Sequence, residues 1–131
     1  IELLCGDIFK LEPADLGKVD ALYDRAALIA LTRAQRPRYA RRLARLLEPG
    51  TPGLLVTLDY DQALMDGPPF AVTGDEVQLL YGPGFHIRHL ARLDALEDNP
   101  RFRDKGLSQL TEHVYRLERR RLAGESTIRV N

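Results

Sequence analysis

The sequence predicts an α/β fold, mostly parallel, with an antiparallel edge strand at the C-terminal end. Three observations predict it. Short apolar runs alternate along the chain with segments of helical period, as strand–helix–strand units do. The run Gly53-Leu54-Leu55-Val56-Thr57-Leu58-Asp59-Tyr60 is almost continuously apolar until Asp59, the pattern of a strand covered on both faces. The run Val19 to Tyr23 breaks at Asp24-Arg25 and resumes as the Ala/Leu-rich segment Ala26 to Leu31, a strand-to-helix turn. Ligands of open α/β sheets bind outside the carboxyl ends of the strands. Asp24 and Arg25 are therefore expected at the rim of a ligand site.

The elements follow in order. Ile1 to Leu4 reads as a strand already in progress, closed by a turn at Gly6-Asp7, and predicts that the chain is the second part of something larger. Lys10 to Lys18 is turn-rich, with one short helical turn at Pro13-Ala14-Asp15-Leu16. After the strand Val19 to Tyr23, Thr32 is the expected N-cap of a helix running through Leu47 and stopping at Glu48-Pro49-Gly50. Its apolar face carries Tyr39, Leu43, Leu46 and Leu47, and the opposite face Arg38, Arg41, Arg42 and Arg45. Gly67-Pro68-Pro69-Phe70 must be a loop, because two prolines continue neither a helix nor a central strand. Thr73 caps a helix to Tyr81 with Glu76 at capping-box spacing, and Gly82-Pro83-Gly84 closes it. Phe85 to Leu93 is a strand with one wetter face, Glu97 to Lys105 a charged loop, and Leu107 to Leu117 a returning antiparallel strand. The residues from Arg119 to Asn131 lack an apolar period and are expected to be loosely held.

Composition narrows the function classes. At 131 residues, 44% hydrophobic and 29% charged, the chain has the length and make-up of one globular domain. Nineteen basic and nineteen acidic side chains give zero net charge, so nothing draws the molecule as a whole to nucleic acid or an anionic membrane. No apolar run approaches the roughly 20 residues that span a bilayer, and the N-terminus has no signal pattern. A cytoplasmic monomer with neither a nucleic-acid nor a membrane partner is expected. The single Cys5 allows no internal disulfide and no cysteine metal cluster, and it reads as a small buried hydrophobe. His86 and His89, three apart on a strand, point to opposite faces. His113 has no partner by spacing, and Asp59 with Asp61 lacks further ligands, so no metal site is expected. The arginine face of the long helix reads as solvated charge, with nucleic-acid binding as the rival.

Three stretches carry a family resemblance: Cys5-Gly6-Asp7-Ile8-Phe9, then Tyr23-Asp24-Arg25-Ala26-Ala27-Leu28-Ile29-Ala30-Leu31, then Leu58-Asp59-Tyr60 followed by Gly67-Pro68-Pro69-Phe70. In this order and spacing the chain resembles the later part of a class I methyltransferase that uses S-adenosylmethionine. More specifically, it resembles the thiopurine S-methyltransferase family, bacterial members included. The resemblance covers about residues 1 to 120, leaves 121–131 as a tail, and implies the third to seventh strands of a Rossmann-like sheet. The family's glycine-rich loop and its ribose-gripping acid have no counterpart here. No Gly-x-Gly follows a strand, and Gly82-Pro83-Gly84 precedes one.

The resemblance implies methyl transfer from S-adenosylmethionine to a small-molecule thiol or thiopurine. Bacterial relatives are associated with selenium and tellurium oxyanion detoxification, so the acceptor need not be a purine. Because the methyl donor is already activated, the protein mainly aligns the reactants and excludes water. Arg25 is implied as the catalytic cation, touching both cofactor and acceptor; the alternative is an ion pair with Asp24 or Asp59. Asp7 and Ile8 are implied at the adenine, against a turn aspartate bonding its own backbone. Asp24 is expected to cap the segment after it. Phe70, Arg101 and Arg103 are implied on the acceptor side, against loop packing for Phe70 and solvated charge for the two arginines. The rival of another class is a non-catalytic α/β module that binds a nucleotide or a protein.

Overall fold

The computed structural model describes residues 1–125. In chain order it comprises α1 (Pro13–Leu16), β1 (Leu22–Asp24), α2 (Arg36–Leu46), β2 (Pro52–Asp59), α3 (Gly74–Tyr81), β3 (Phe85–Asp94), α4 (Pro100–Asp104) and β4 (Thr111–Arg119). Short 3-10 turns lie at Ile8–Lys10, Leu28–Ala30 and Gln62–Leu64. The strands form one sheet in the order β1-β2-β4-β3. β1 and β2 are parallel, and β4 runs against both β2 and β3, so three strands share a direction and the last is reversed. The α/β reading therefore holds. The reversed strand, however, lies inside the sheet and not at an edge. β4 buries Tyr115, Leu117 and Arg119, whereas most of β3 is exposed, and the strand with more to bury takes the inner place.

The core forms where α2 and α3 cover one face of the sheet. Tyr39, Leu43, Val77 and Tyr81 from the helices meet Leu55 and Leu117 from the strands. Gly53 lets β1 approach: a Cβ there would lie 3.0 Å from Leu22 Cβ. Helix α2 begins one turn after its expected cap. Thr32 offers its carbonyl to the N–H groups of Gln35 and Arg36, its own N–H goes to Gln35 Oε1 at 3.0 Å, and Pro37 fills the first turn, where no amide donor is needed. Thr73 does cap α3, its Oγ1 accepting from Glu76 N at 3.2 Å. Glu76 leaves the capping box open and instead takes Arg36 Nη1 on both carboxylate oxygens at 2.9 Å each. With Arg36 3% exposed, this pair clamps α2 to α3.

Five further expectations are corrected. Ile1 to Leu4 is exposed and forms no strand, because no described segment offers it a ladder; Cys5 is likewise exposed. The charged loop contains α4, started by Asn99-Pro100, and buries Phe102. His113 does have a partner: its Nδ1 lies 3.0 Å from His89 Nε2 across the β3–β4 ladder, with Asp59 Oδ2 3.9 Å from its other nitrogen. The expected loose tail is anchored through Glu125, which pairs with the buried Arg119 at 2.8 Å; its remainder, 126–131, falls outside the described residues. Among the described residues no helix is long and apolar enough to cross a membrane.

Candidate functional site

The site is built from Asp24 outward, at the carboxyl end of β1. Asp24 is 3% exposed, and its carboxylate is fully engaged. Oδ1 accepts from Ala27 N at 3.0 Å and Leu28 N at 3.4 Å, and Oδ2 accepts from Tyr39 O–H at 2.7 Å. These bonds bend the chain out of the strand into the 3-10 turn Leu28–Ala30, so the segment is not one continuous helix. Burial, and then the Asp24 carboxylate, push the Tyr39 phenol far above its ordinary range, which keeps it a donor to Asp24. Asp24 thus acts as the expected cap and, with Tyr39, as the rivet of the turn.

Arg25 stands on that turn, exposed. Among the described residues it makes no ion pair or hydrogen bond, so neither Asp24 nor Asp59 neutralises it. It lines a cleft of about 470 Å³ with a floor of Val56 and Leu58 from β2. Pro68 and Pro69 form one wall, and Asn99, Arg101 and Phe102 another. Glu112 enters from β4 beside Leu58, its register partner. The proline wall is tied down at several points. Tyr60 O–H donates to Pro69 O at 2.6 Å, and Gln62 bridges Met65 O and Ala71 N at 2.6 and 2.9 Å. Gly67, at φ +80°, turns the chain so closely that a Cβ would lie 2.7 Å from the Phe70 ring. Asn99 is fixed by Nδ2 donating to Ala95 O at 2.7 Å.

Of the residues singled out from the sequence, the fold brings Arg25 and Arg101 to one cleft. Phe70 is not among the lining residues. It packs on Gly67 with the Arg36 guanidinium 5.6 Å from its ring centroid, and its N–H donates to Ile29 O. Arg103 is exposed on α4 and also lies outside the lining. Asp7 and Ile8 belong to the N-terminal turn that packs on α2; Asp7 Oδ1 accepts from Phe9 N at 2.9 Å, leaving the other carboxylate oxygen unspent. The arginine face of α2 is largely engaged by the same segment. Arg38 covers the Phe9 ring at 4.5 Å, and Arg42 and Arg45 pair with Glu12 at 3.2 and 3.1 Å. Asp61 caps Ala63 N and forms no carboxylate pair with Asp59.

Asn99, Phe102 and Glu112 escaped the sequence reading. Strand alternation from Val114 would have put Glu112 on the Leu58 face, whereas nothing local marks Asn99 or Phe102. The resulting chemistry is simple: two guanidiniums and one carboxylate over an apolar floor, a setting for an anion attached to an apolar body.

Comparison with known proteins identifies a family. Residues 1–120 match the family described as Thiopurine S-methyltransferase (TPMT). The chain is 52% identical over 120 residues to the thiopurine S-methyltransferase of Azotobacter vinelandii, covering 92% of this chain and 55% of that protein. To the Methylococcus capsulatus protein of the same name it is 51% identical over 117 residues, covering 89% and 53%. The chain therefore spans about half the length of the curated relatives it matches. Among solved structures it is similar to an arsenic(III) S-adenosylmethionine methyltransferase from Chlamydomonas reinhardtii, with a TM-score of 0.60, 18% identity and coverage of 92% and 44%. It is also similar to the N-methyltransferase NodS from Bradyrhizobium japonicum, with a TM-score of 0.52, 10% identity and coverage of 88% and 58%. At such identities these two speak for the fold alone.

Proposed function

The chain belongs to the thiopurine S-methyltransferase family, and from that premise we propose that it carries the acceptor side of an S-adenosylmethionine-dependent S-methyltransferase acting on a small, soft anion. One observation carries the reading: Arg25 and Arg101 line a single apolar cleft at the carboxyl ends of β1 and β2, each without an ion-pair partner among the described residues. Two guanidiniums against the one carboxylate of Glu112 leave the cleft net positive beside Val56 and Leu58, which favours the thiolate over the thiol, and the thiolate is the nucleophile. A selenolate or tellurolate belongs to the same chemical class. The Pro68-Pro69 wall, held by Tyr60 and Gln62, keeps water from the reacting sulfur.

S-adenosylmethionine, when bound, supplies a methyl group already activated on a sulfonium. On this chain Asp7, through its unspent oxygen, and Ile8 are proposed to meet the adenine, and Arg25 stands toward both ligands. Asp7 and Ile8 do not line the acceptor cleft, which suits a cofactor reaching in from beside it. Calorimetric titration with thiophenolate tests the acceptor side. Binding should weaken at least tenfold in Arg25→Ala and in Arg101→Ala and stay unchanged in Arg103→Ala. Because Arg25 holds nothing in the fold, its replacement should alter stability by no more than about 0.5 kcal/mol. Equal losses of binding and folding would refute the role. Titration with S-adenosylhomocysteine tests the cofactor side, and no heat with a folded protein returns the reading to a non-catalytic binding module.

A further inference from the structure

On the far side of the molecule a second groove, of about 920 Å³, lies between α2, α3 and the segment after β4. Its trough is small and apolar. Ala40 and Ala44 leave room along α2, Gly84 passes so close that a Cβ would lie 3.1 Å from Ala44 Cβ, and Phe85 closes the bottom. Leu79, 79% exposed, and Leu122, 38% exposed, stand on the rim. The opposite edge is cationic: Arg41 and Arg45, four residues apart on α2, and Arg33, in the turn before it, lie along that side of the groove. Both acids in the lining are already spent, Glu76 on Arg36 and Glu125 on Arg119. Arg33 and Arg41 make no ion pair or hydrogen bond among the described residues, so the uncompensated charge of the groove is positive.

Leu122 to Glu125 form the wall that completes the groove. The family match ends at residue 120, and Leu122 to Glu125 lie beyond it. That wall is nevertheless held firmly. Arg120 N donates to Gly84 O at 2.8 Å and Arg120 Nε to Phe85 O at 3.0 Å. Arg119 binds Glu125, whose Oε1 also accepts from Leu122 N at 2.7 Å.

We propose that this groove is a second ligand site, for a single-chain amphiphilic carboxylate of the fatty-acid class. Its acyl chain lies along Ala40, Ala44 and Leu80 toward Leu122, and its carboxylate meets Arg41 with Arg33 on the same edge. An apolar trough rewards the chain, and two free guanidiniums reward the charge. A neutral alcohol of equal length matches only the first, and inorganic phosphate only the second.

The probe is dodecanoate below its micelle concentration, titrated calorimetrically into the full chain. Saturable one-to-one binding is expected, at least tenfold weaker in Arg41→Ala and in Leu79→Asp, and at least tenfold weaker for octanoate and for dodecanol. Arg25→Ala, which alters only the other cleft, should leave it unchanged. Circular dichroism establishes that each variant is folded. The proposal is overturned by no saturable heat with folded protein, by equal losses in Arg25→Ala and Arg41→Ala, or by binding that appears only after residues 126–131 are removed. Conservative Arg41→Lys should restore part of the affinity.

Discussion

Asp24 is the residue on which the cleft beside Arg25 turns. Three donors converge on one buried carboxylate, and a buried donor left unpaired costs about 1–3 kcal/mol. Asp24→Ala should therefore lower unfolding stability by about 3 kcal/mol, measured by urea denaturation, with acceptor binding lost as the turn under Arg25 relaxes. Arg25 gives the opposite pattern, large in binding and small in stability. His113 provides a pH test. Burial first, and then the neighbouring His89, hold its pKa below the ordinary 6.5, against the opposing pull of Asp59. The unfolded chain then binds the proton more readily than the folded one, so His113's contribution is complete above pH about 6.5 and fades as the pH falls through that value. His113→Gln should flatten the stability profile as the pH falls below about 6.5, and an unchanged slope would remove His113 from the explanation.

At the scale of elements, packing is secured by polar clamps as much as by apolar area. The Arg36–Glu76 pair joins α2 to α3, and Arg36 Nε also donates to Leu31 O at 3.2 Å. Removing one partner strands a buried charge. Glu76→Ala should cost about 3–5 kcal/mol, while replacing both residues with leucine should recover much of it, as chemical denaturation of the two variants will tell. The loop Gly67 to Phe70 is stabilised in a comparable way, by Tyr60 and Gln62 and by the seat of Phe70 on Gly67. The proline wall of the cleft is therefore an outwork of β2 and not an independent lid.

For the whole molecule, stability should grade outward from the middle of the sheet. β2 and β4 pair along their whole length, from Pro52↔Glu118 to Asp59↔Thr111, and carry Leu55, Tyr115 and Leu117 into the core. Native-state hydrogen exchange should be slowest in β2 and β4, intermediate in the short β1, and fastest in residues 1–7, which pair with no strand. Protection of residues 1–7 equal to that of β2 would contradict this order. The same grading explains how one sheet supports two unlike clefts: the cleft beside Arg25 uses strand ends, and the second groove uses the outer helices.

Read alone, the sequence determined the α/β class, all four strands of the sheet, the long helix with its arginine face, and the stretch Tyr23 to Leu31 as the turn after the first of them. Those features are local: hydrophobic period, Pro and Gly punctuation, and a capping aspartate act over a few residues and leave their mark in order. It misjudged Ile1 to Leu4, the N-cap of α2, Cys5 and the pairing of His113, because each depends on what stands opposite. Only the tertiary structure decided that Arg101 and Glu112 share a cleft with Arg25, that Phe70 turns away from it, and that Arg119 and Glu125 close a second groove. Contacts between residues dozens of positions apart are set by sheet order and chain return, and neither is written in the period of any one segment.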